Sequence, residues 1–366
     1  QTVGNPSSTH SLGQGSRMML EDAREQIALA VGCDRSEVIF TAGGTESDNL
    51  AIKGLFWKRR GENPTRKVIV STYMEHHAVI DPIEWLEAHE GAEIAWIGVS
   101  DEGVVDLAAL ENFLAERGAE VALISMMWAN NEVGVINDIK TVTALAAKKG
   151  IPVHSDAIAA FGHVPIDFKN SGLSALSISA HKVGGPKGAA ALVRDRQLSL
   201  MPLVYGGGQE QGLRSGTENV AAIVGFGVAC TRAVADLEMR TLQAHRLQQH
   251  LEAWLRSRGA VIFSAAAERL PNTTFAAFPG IDGETLVSLL DRQGMAIASG
   301  AACGSGKSGV SAVLLAMGVD PVLAKGAIRI SLGMMPYGAT SIEAVDRLIG
   351  QLDKVLSQLQ RFAAVA

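Results

Sequence analysis

Ala175-Leu-Ser-Ile-Ser-Ala-His-Lys-Val-Gly-Gly-Pro-Lys-Gly188 is an apolar, strand-like run that ends at Ser179 and delivers His181 and Lys182 to a glycine-rich turn. A lysine just past a strand, with hydroxyl and imidazole groups before it and small residues after it, is what pyridoxal phosphate (PLP) needs to be held through its aldehyde as a Schiff base. Upstream, Val153-His-Ser-Asp156 ends in a carboxylate suited to keeping the pyridinium nitrogen protonated, so that the ring can act as an electron sink. Alone, Lys182 also reads as a solvated lysine after a buried strand. Its company favours the cofactor.

The same strand-then-helix rhythm runs outward from this stretch. Leu20, Ala23, Ile27 and Ala30 share one face of a helix over 19–31 that stops at Gly32. Short apolar strands follow at 38–40, 68–70, 94–99, 121–127, 151–153, 175–179 and 189–193, with helices opening near Gly43, Ala78, Leu107 and Asp138. Continuous apolar strands separated by amphipathic helices predict an α/β fold with a mainly parallel seven-stranded sheet covered on both faces. Active sites in such sheets lie at the carboxyl ends of the strands. From Glu218 to Arg258 the pattern is helical with few breakers; beyond it, strands at 261–263, 273–278 and 296–298 and helices from Glu284 and Ser341 predict a smaller α/β domain hinged near Leu237. The expected division is 11–237 for the large domain, with 1–10 and 238–366 forming the small one.

The 366 residues are 47% apolar and 19% charged with a net charge of −6, which leaves no electrostatic footprint for nucleic acid and no basic run for a membrane surface. The longest near-continuous apolar stretch, 121–129, is far below the ~20 residues of a membrane span, and no basic-then-apolar leader opens the chain. Three cysteines, Cys33, Cys230 and Cys303, are too few and scattered for a disulfide framework, and no metal-ligand spacing appears, so a reducing cytoplasm and no metal are expected. Cys33 and Cys230 read as small buried hydrophobes. Cys303 sits in a Gly/Ala/Ser-rich arm, 299–311, where few side chains pin the backbone.

The remaining candidates fall at strand ends and helix starts. Gly43-Gly44-Thr45 can offer backbone N–H groups and a hydroxyl to a phosphate at a positive helix end, and Thr45 equally reads as a plain N-cap. His76 can stack on a planar cofactor or be an incidental loop histidine. Asn130 and Asn131 can hold a phenolic oxygen or build a turn. Arg329 is a charge inside an apolar strand and calls for a carboxylate partner, which a substrate would supply. Gly304-Ser-Gly-Lys-Ser308 has the tail of a phosphate-binding P-loop, but Ala301 stands where its leading glycine belongs.

Taken together, Thr41-Ala-Gly-Gly-Thr-Glu46, Glu75-His76, Asn130-Asn-Glu-Val-Gly134, Asp156, Ser179-Ala-His-Lys182, Arg214-Ser-Gly-Thr-Glu-Asn219, Ala301-Ala-Cys303 and Ile328-Arg-Ile-Ser-Leu-Gly333 resemble the cysteine desulfurases, fold-type I PLP enzymes of the class V aminotransferase group. The likeness spans the chain from Gly4 to the C-terminal helix. It implies that Lys182 forms the Schiff base and later takes the substrate Cα proton, Asp156 pairs with the pyridinium nitrogen, His76 stacks on the ring, and Asn131 sits by the ring oxygen. Gly44, Thr45, Ser179 and His181 would hold the phosphate, joined by Thr217 from the second subunit of a homodimer. Arg329 would bind the carboxylate of L-cysteine, and Cys303 would take its sulfur as a persulfide, release L-alanine and pass the sulfur to an acceptor protein or iron–sulfur scaffold. The neighbouring readings are a selenocysteine lyase or other class V lyase, and a PLP-holding sulfur-relay module of low turnover.

Three departures stand out. Ala159 replaces the glutamine usual three residues after the pyridinium aspartate, and Gly309-Val-Ser311 replaces Glu-Pro-Ser with an unusual Lys307 before it. The strand that usually precedes Gly4 is missing, so a trimmed N-terminus is expected.

Overall fold

The computed structural model describes residues 4–300, 309–334 and 338–363, which form two compact units. The large unit comprises residues up to 98, 106–129 and 137–237; the small unit comprises 99–105, 130–136 and the residues from 238 onward. Residues 4–10 therefore group with the large unit rather than the small one. Arg17 Nε donates to Pro6 O at 2.9 Å, and a Cβ on Gly4 would lie 2.2 Å from Leu12 O, so this segment is laid directly on the first helix.

In the large unit the helices are α1 (Ser11–Val31), α2 (Gly44–Glu62), α3 (His77–Glu90), α4 (Leu107–Arg117), α5 (Ile139–Ala147), α6 (Phe168–Ser171) and α7 (Val220–Val234). The strands are β1 (Val38–Thr41), β2 (Val68–Ser71), β3 (Glu93–Trp96), β4 (Val121–Ser125), β5 (Val153–Asp156), β6 (Ala175–Ser179) and β7 (Ala190–Arg194). They form one sheet in the order β1-β7-β6-β5-β4-β2-β3, parallel except where β7 runs against β1 and β6. Every residue of β1, β2, β4, β5 and β6 is buried, as expected of strands covered on both faces. On one face, Leu50, Ile52, Leu55 and Phe56 of α2 pack with Val79 and Ile83 of α3 into a continuous apolar core.

Two local differences from the sequence reading matter for the site. The strand expected at 151–153 begins at Val153, because Pro152 has no N–H to give the ladder and contributes only its carbonyl, to Ile124 N. Asp156 is thereby the last strand residue, at the carboxyl end. The helical run expected from 218 to 258 breaks at Ala235–Asp236, where Asp236 has φ 53°. Elsewhere α1 starts earlier than expected, with His10 Nδ1 accepting from Gly13 N at 3.2 Å, and stops at Gly32 in the left-handed region at φ 69°.

The small unit contains α8 (Leu237–Ser257), β8 (Val261–Ile262), β9 (Thr273–Ala277), α9 (Gly283–Asp291), β10 (Ala298–Ser299), α10 (Ala312–Ala316), α11 (Pro321–Lys325), β11 (Ala327–Ser331) and α12 (Ile342–Ala363). Its four strands pair antiparallel in the order β10-β11-β9-β8. Leu251 and Leu255 of α8, Leu286 and Leu290 of α9 and Leu352 of α12 close over Ile328 and Ile330 of β11. Since side chains alternate across a strand, Arg329 between those isoleucines emerges on the opposite face.

Candidate active site

In the large unit, Lys182 lies on a single 3₁₀ turn, Ala180–Val183, that begins directly after β6 and ends at Gly184 in the left-handed region at φ 79°. The turn reverses the chain at once and leaves Lys182 exposed at the carboxyl end of the sheet, one strand over from Asp156. Asp156 is buried. Its Oδ1 accepts from Ile158 N at 2.8 Å, and burial pushes its carboxyl up to about 6 against the opposing pull of that N–H and of the Lys182 ammonium. The charge of Lys182 also reaches His76 and His181, so the three residues converge electrostatically on one amine.

His76 caps α3, its Nδ1 accepting from Ala78 N at 3.0 Å, which fixes Nδ1 as the unprotonated nitrogen. Burial, then His77 and Lys182, hold it below the ordinary imidazole range, so the ring is neutral near pH 7. A neutral ring is the form suited to stacking beside a cationic pyridinium.

The start of α2 has no side-chain cap: Gly43 supplies none, and Thr45 is exposed. An uncapped helix N-terminus of this length offers free N–H groups and a favourable dipole to an anion. Gly44 packs closely there: a Cβ would fall 2.1 Å from Ile158 Cδ1, which would have to move, and 3.7 Å from Ser179 Cβ. The same contact places the helix start beside Ser179, whose Oγ pairs with His181 Nδ1 at 2.9 Å. Exposed amine, buried carboxylate, neutral ring and uncapped helix end are the groups that PLP calls for. Lys182 would hold its aldehyde carbon, Asp156 the ring nitrogen and the α2 start with Ser179 and His181 its phosphate.

Thr217 lies on the loop that leads into α7. It lines a cavity of about 320 Å³ with Thr41, Ala42, Gly188 and Arg214. Its loop is tied to α2 through Arg214 Nε, which donates to Glu46 Oε1 at 2.7 Å, and to α1 and β1 through Glu210, whose carboxylate accepts from Arg24 and from Phe40 N at 2.8 Å.

In the small unit, the ambiguity between the two asparagines resolves by role. Asn130 Oδ1 accepts from Glu132 N at 2.8 Å and Val133 N at 2.9 Å and so builds the turn. Half-buried Arg329 donates from Nη1 to Asn131 O at 2.9 Å. Ser311 caps α10 and donates its hydroxyl to the Glu132 carboxylate, joining the C-terminal side of the Gly/Ser-rich arm to the same turn. Cys303, Lys307 and the P-loop-like Gly304–Ser308 lie outside the described residues. Cys33 and Cys230 carry no disulfide, and burial pushes their thiols up, that of Cys33 to about 12, so neither is a thiolate at neutral pH.

Three residues beneath the site escaped the sequence reading: Asp48, His154 and the carboxyl role of Glu75. His154 precedes Asp156 by two, hence lies on the same strand face, and the signal that exposes it is a titratable residue inside an apolar strand, the signal that exposed Arg329.

Residues 1–348 match the aminotransferase class-V family. An IscS-like cysteine desulfurase of Mycobacterium tuberculosis is 45% identical, the match covering 100% of this chain and 93% of that protein. Among solved structures, a NifS-like protein superposes with a TM-score of 0.89 at 36% identity, covering 98% of this chain and 92% of that one. SspA, solved in complex with cysteine, superposes with a TM-score of 0.79 at 30% identity over 93% of this chain and 92% of its own. With a site built for PLP in the large unit and identity at this level over nearly the whole length, the chain belongs to the aminotransferase class-V family and, within it, to the PLP-dependent cysteine desulfurases.

Proposed function

We propose that the protein takes the sulfur from L-cysteine, releases L-alanine and delivers the sulfur, as a persulfide on Cys303, to an acceptor protein or scaffold for iron–sulfur cluster assembly or thiolation. The observation that supports this best is the convergence of Asp156, His76 and His181 on Lys182 at the carboxyl end of the parallel strands. Bound PLP supplies a conjugated cation that accepts the electron pair released when the substrate Cα loses its proton.

The chain's own residues do the rest. Lys182 anchors the cofactor and moves the Cα proton. Asp156 holds the proton on the ring nitrogen, and neutral His76 covers the ring face. Arg329, whose Nη1 donates to Asn131 O, takes the substrate carboxylate through a charge-assisted pair, and Asn131 serves the ring oxygen as the family's pattern implies. The Cys303 thiolate attacks the substrate sulfur: an S–S bond forms, the Cβ–S bond breaks, and the pair left on Cβ is protonated to give the methyl group of alanine. Thr217 would complete the phosphate pocket of a second copy, as the family's pattern implies. Exposed Met201, Val204 and Tyr205, the last 72% exposed, lie on the neighbouring stretch and suit a homodimer face. The free thiols of Cys33 and Cys230 suit a reducing cytoplasm.

Incubation of the purified protein with L-cysteine and a thiol reductant is expected to yield alanine and sulfide in equal amounts. Cys303→Ser should retain the cofactor's visible band and make neither. Alanine formation by Cys303→Ser at the wild-type rate rules out the persulfide route, and selenocysteine turnover without cysteine turnover would establish the lyase instead.

A further inference from the structure

Asp48 on α2, Glu75 in the turn before α3, and Asp156 at the end of β5 are 0%, 4% and 4% exposed. They lie within electrostatic reach of one another, Asp156 acting on both others and Glu75 on Asp48. The cation that acts on this group, Lys182, acts on Asp156. Neither oxygen of Asp48 has a partner at full hydrogen-bond geometry, the Ser177 hydroxyl alone pulling its carboxyl back toward the ordinary range, and Glu75 uses Oε1 to accept from Met127 N at 2.6 Å while its Oε2 has no partner. The groups facing them are His154 from β5, His76 beside Glu75, and the hydroxyls of Ser125 and Ser177.

His154 is the one side chain that might be thought to neutralise Asp48, standing with Nε2 3.6 Å from Oδ1. Its two nitrogens are already engaged, Nδ1 with Ser125 Oγ and Nε2 with Ser177 Oγ, both at 3.0 Å. A neutral imidazole satisfies this arrangement fully: one nitrogen donates to a hydroxyl and the other accepts from one. Complete burial favours that form, holding the imidazole down to about 3. Nor can a metal ion replace the missing cation, since no group of three or more His, Cys, Asp or Glu among the described residues has metal-binding spacing. A proton remains.

We propose that the three carboxyls hold a single negative charge, with Asp48 and Glu75 kept as neutral acids so that the charge is confined to Asp156, the one that faces the cofactor. Like charges in one low-dielectric pocket cannot all ionise, and the member beside Lys182 ionises first. Burial and the other carboxyls push Asp48 and Glu75 well above the ordinary carboxylate range. Asp48 and Glu75 are thus positioning residues: they hold protons so that Asp156 holds none. Its benefit to the pyridinium nitrogen rests on the PLP site described above; the protonation pattern itself does not.

Infrared difference spectra of the holoenzyme at pH 7 to 8 test the pattern directly. The carbonyl stretch of protonated carboxylic acid should be present in wild type and should lose separate components in Asp48→Asn and Glu75→Gln. Its absence from wild type, or its persistence unchanged in both variants, overturns the proposal without recourse to activity. A wild-type protein lacking any visible cofactor band would instead strike the PLP reading and leave the infrared result standing.

Stability provides the second readout. An acid whose folded affinity for protons exceeds its unfolded one makes the protein less stable as pH rises from the ordinary carboxylate range through the raised value. Asparagine at 48 removes that dependence, so the stability of Asp48→Asn relative to wild type should improve steadily as pH rises above about 4. A constant or growing deficit would mean that Asp48 is an ionised partner of His154. Likewise the pH midpoint of the visible band should stay where it is in Asp48→Asn; loss of a true neighbouring charge would move it by about one to three units.

Discussion

Two buried acidic positions in this protein are handled in opposite ways. In the small unit, Glu252 is surrounded by partners: Arg269 donates to it from Nη1 at 2.9 Å and Nη2 at 3.2 Å, Arg256 at 3.0 Å and Thr274 Oγ1 at 3.1 Å. In the large unit, Asp48, Glu75 and Asp156 share a pocket in which three carboxylate oxygens have no partner at full hydrogen-bond geometry. The first arrangement saturates a charge and fixes one geometry. The second leaves polar capacity open, which a protein tolerates where a ligand or a proton completes the set. Structure built for stability and structure built for chemistry are distinguishable here by that difference alone.

Lys182→Ala should give the largest effect, since it removes both the covalent anchor and the proton-transfer group. The variant is expected to show no borohydride-sensitive visible band and alanine formation at background, with folding intact because the side chain is exposed. Retention of a borohydride-sensitive band would assign the anchor to another lysine.

On the Glu252 side, Arg269→Ala strands a buried carboxylate with one exposed arginine for company, and breaking a buried pair of this kind costs about 3 to 5 kcal/mol. Urea unfolding should register the loss while the visible band is unchanged. Asp156→Asn should do the reverse. Its carboxyl is raised to about 6 in the fold against about 4 unfolded, so in cofactor-free protein wild-type stability falls as pH climbs through that window and the asparagine variant is spared the fall. Equal destabilisation by both substitutions would erase the contrast drawn between the two regions.

How much of this was legible in the sequence follows from where the signal resides. Strand β6 was readable to the residue from its strand-like run, and the helix expected near Leu107 opens there, where the structure shows Asp106 as its cap. Lys182, Asp156 and Arg329 were readable because charges at strand ends or inside apolar strands are costly without a purpose. The segments 99–105 and 130–136 that join the small unit were not readable. Their allegiance is set by tertiary hydrogen bonds such as Ile136 N to Glu268 O at 2.9 Å and Ala266 N to the Glu102 carboxylate at 3.1 Å, which no local pattern encodes. Asp48 was hidden for a related reason: on a helix with polar residues at 45–49 it passes for a solvated position, and only the sheet beneath α2 makes it buried.

Arg329→Ala sharpens the comparison from the other direction, because the half-buried guanidinium of β11 donates to the Asn131 carbonyl at 2.9 Å and, on the proposed function, also takes the substrate carboxylate. Charged hydrogen bonds are each worth about 1.5 to 3 kcal/mol, so kcat/KM for cysteine should fall roughly ten- to hundredfold with cofactor content unchanged. Native cysteine kinetics in this variant would make Arg329 a structural residue like Arg269.

The smallest effect is expected at Ala159. It follows Ile158, whose N–H holds Asp156, and it is half-buried with a methyl group where the family usually has a glutamine. The amide that the family's pattern places by the ring oxygen is therefore missing from this position. Restoring the amide by Ala159→Gln adds one hydrogen bond whose net worth is about 0.5 to 1.5 kcal/mol. That corresponds to roughly two- to tenfold tighter cofactor retention, measured as the PLP concentration needed to restore the visible band after dialysis against a competing amine. The gain should disappear in an Asp156→Asn background, because a ring no longer held at its nitrogen cannot present its oxygen to the amide. An Ala159→Gln protein that holds PLP no better than wild type would show that the ring oxygen is already fully satisfied, and that the methyl at 159 is a neutral replacement.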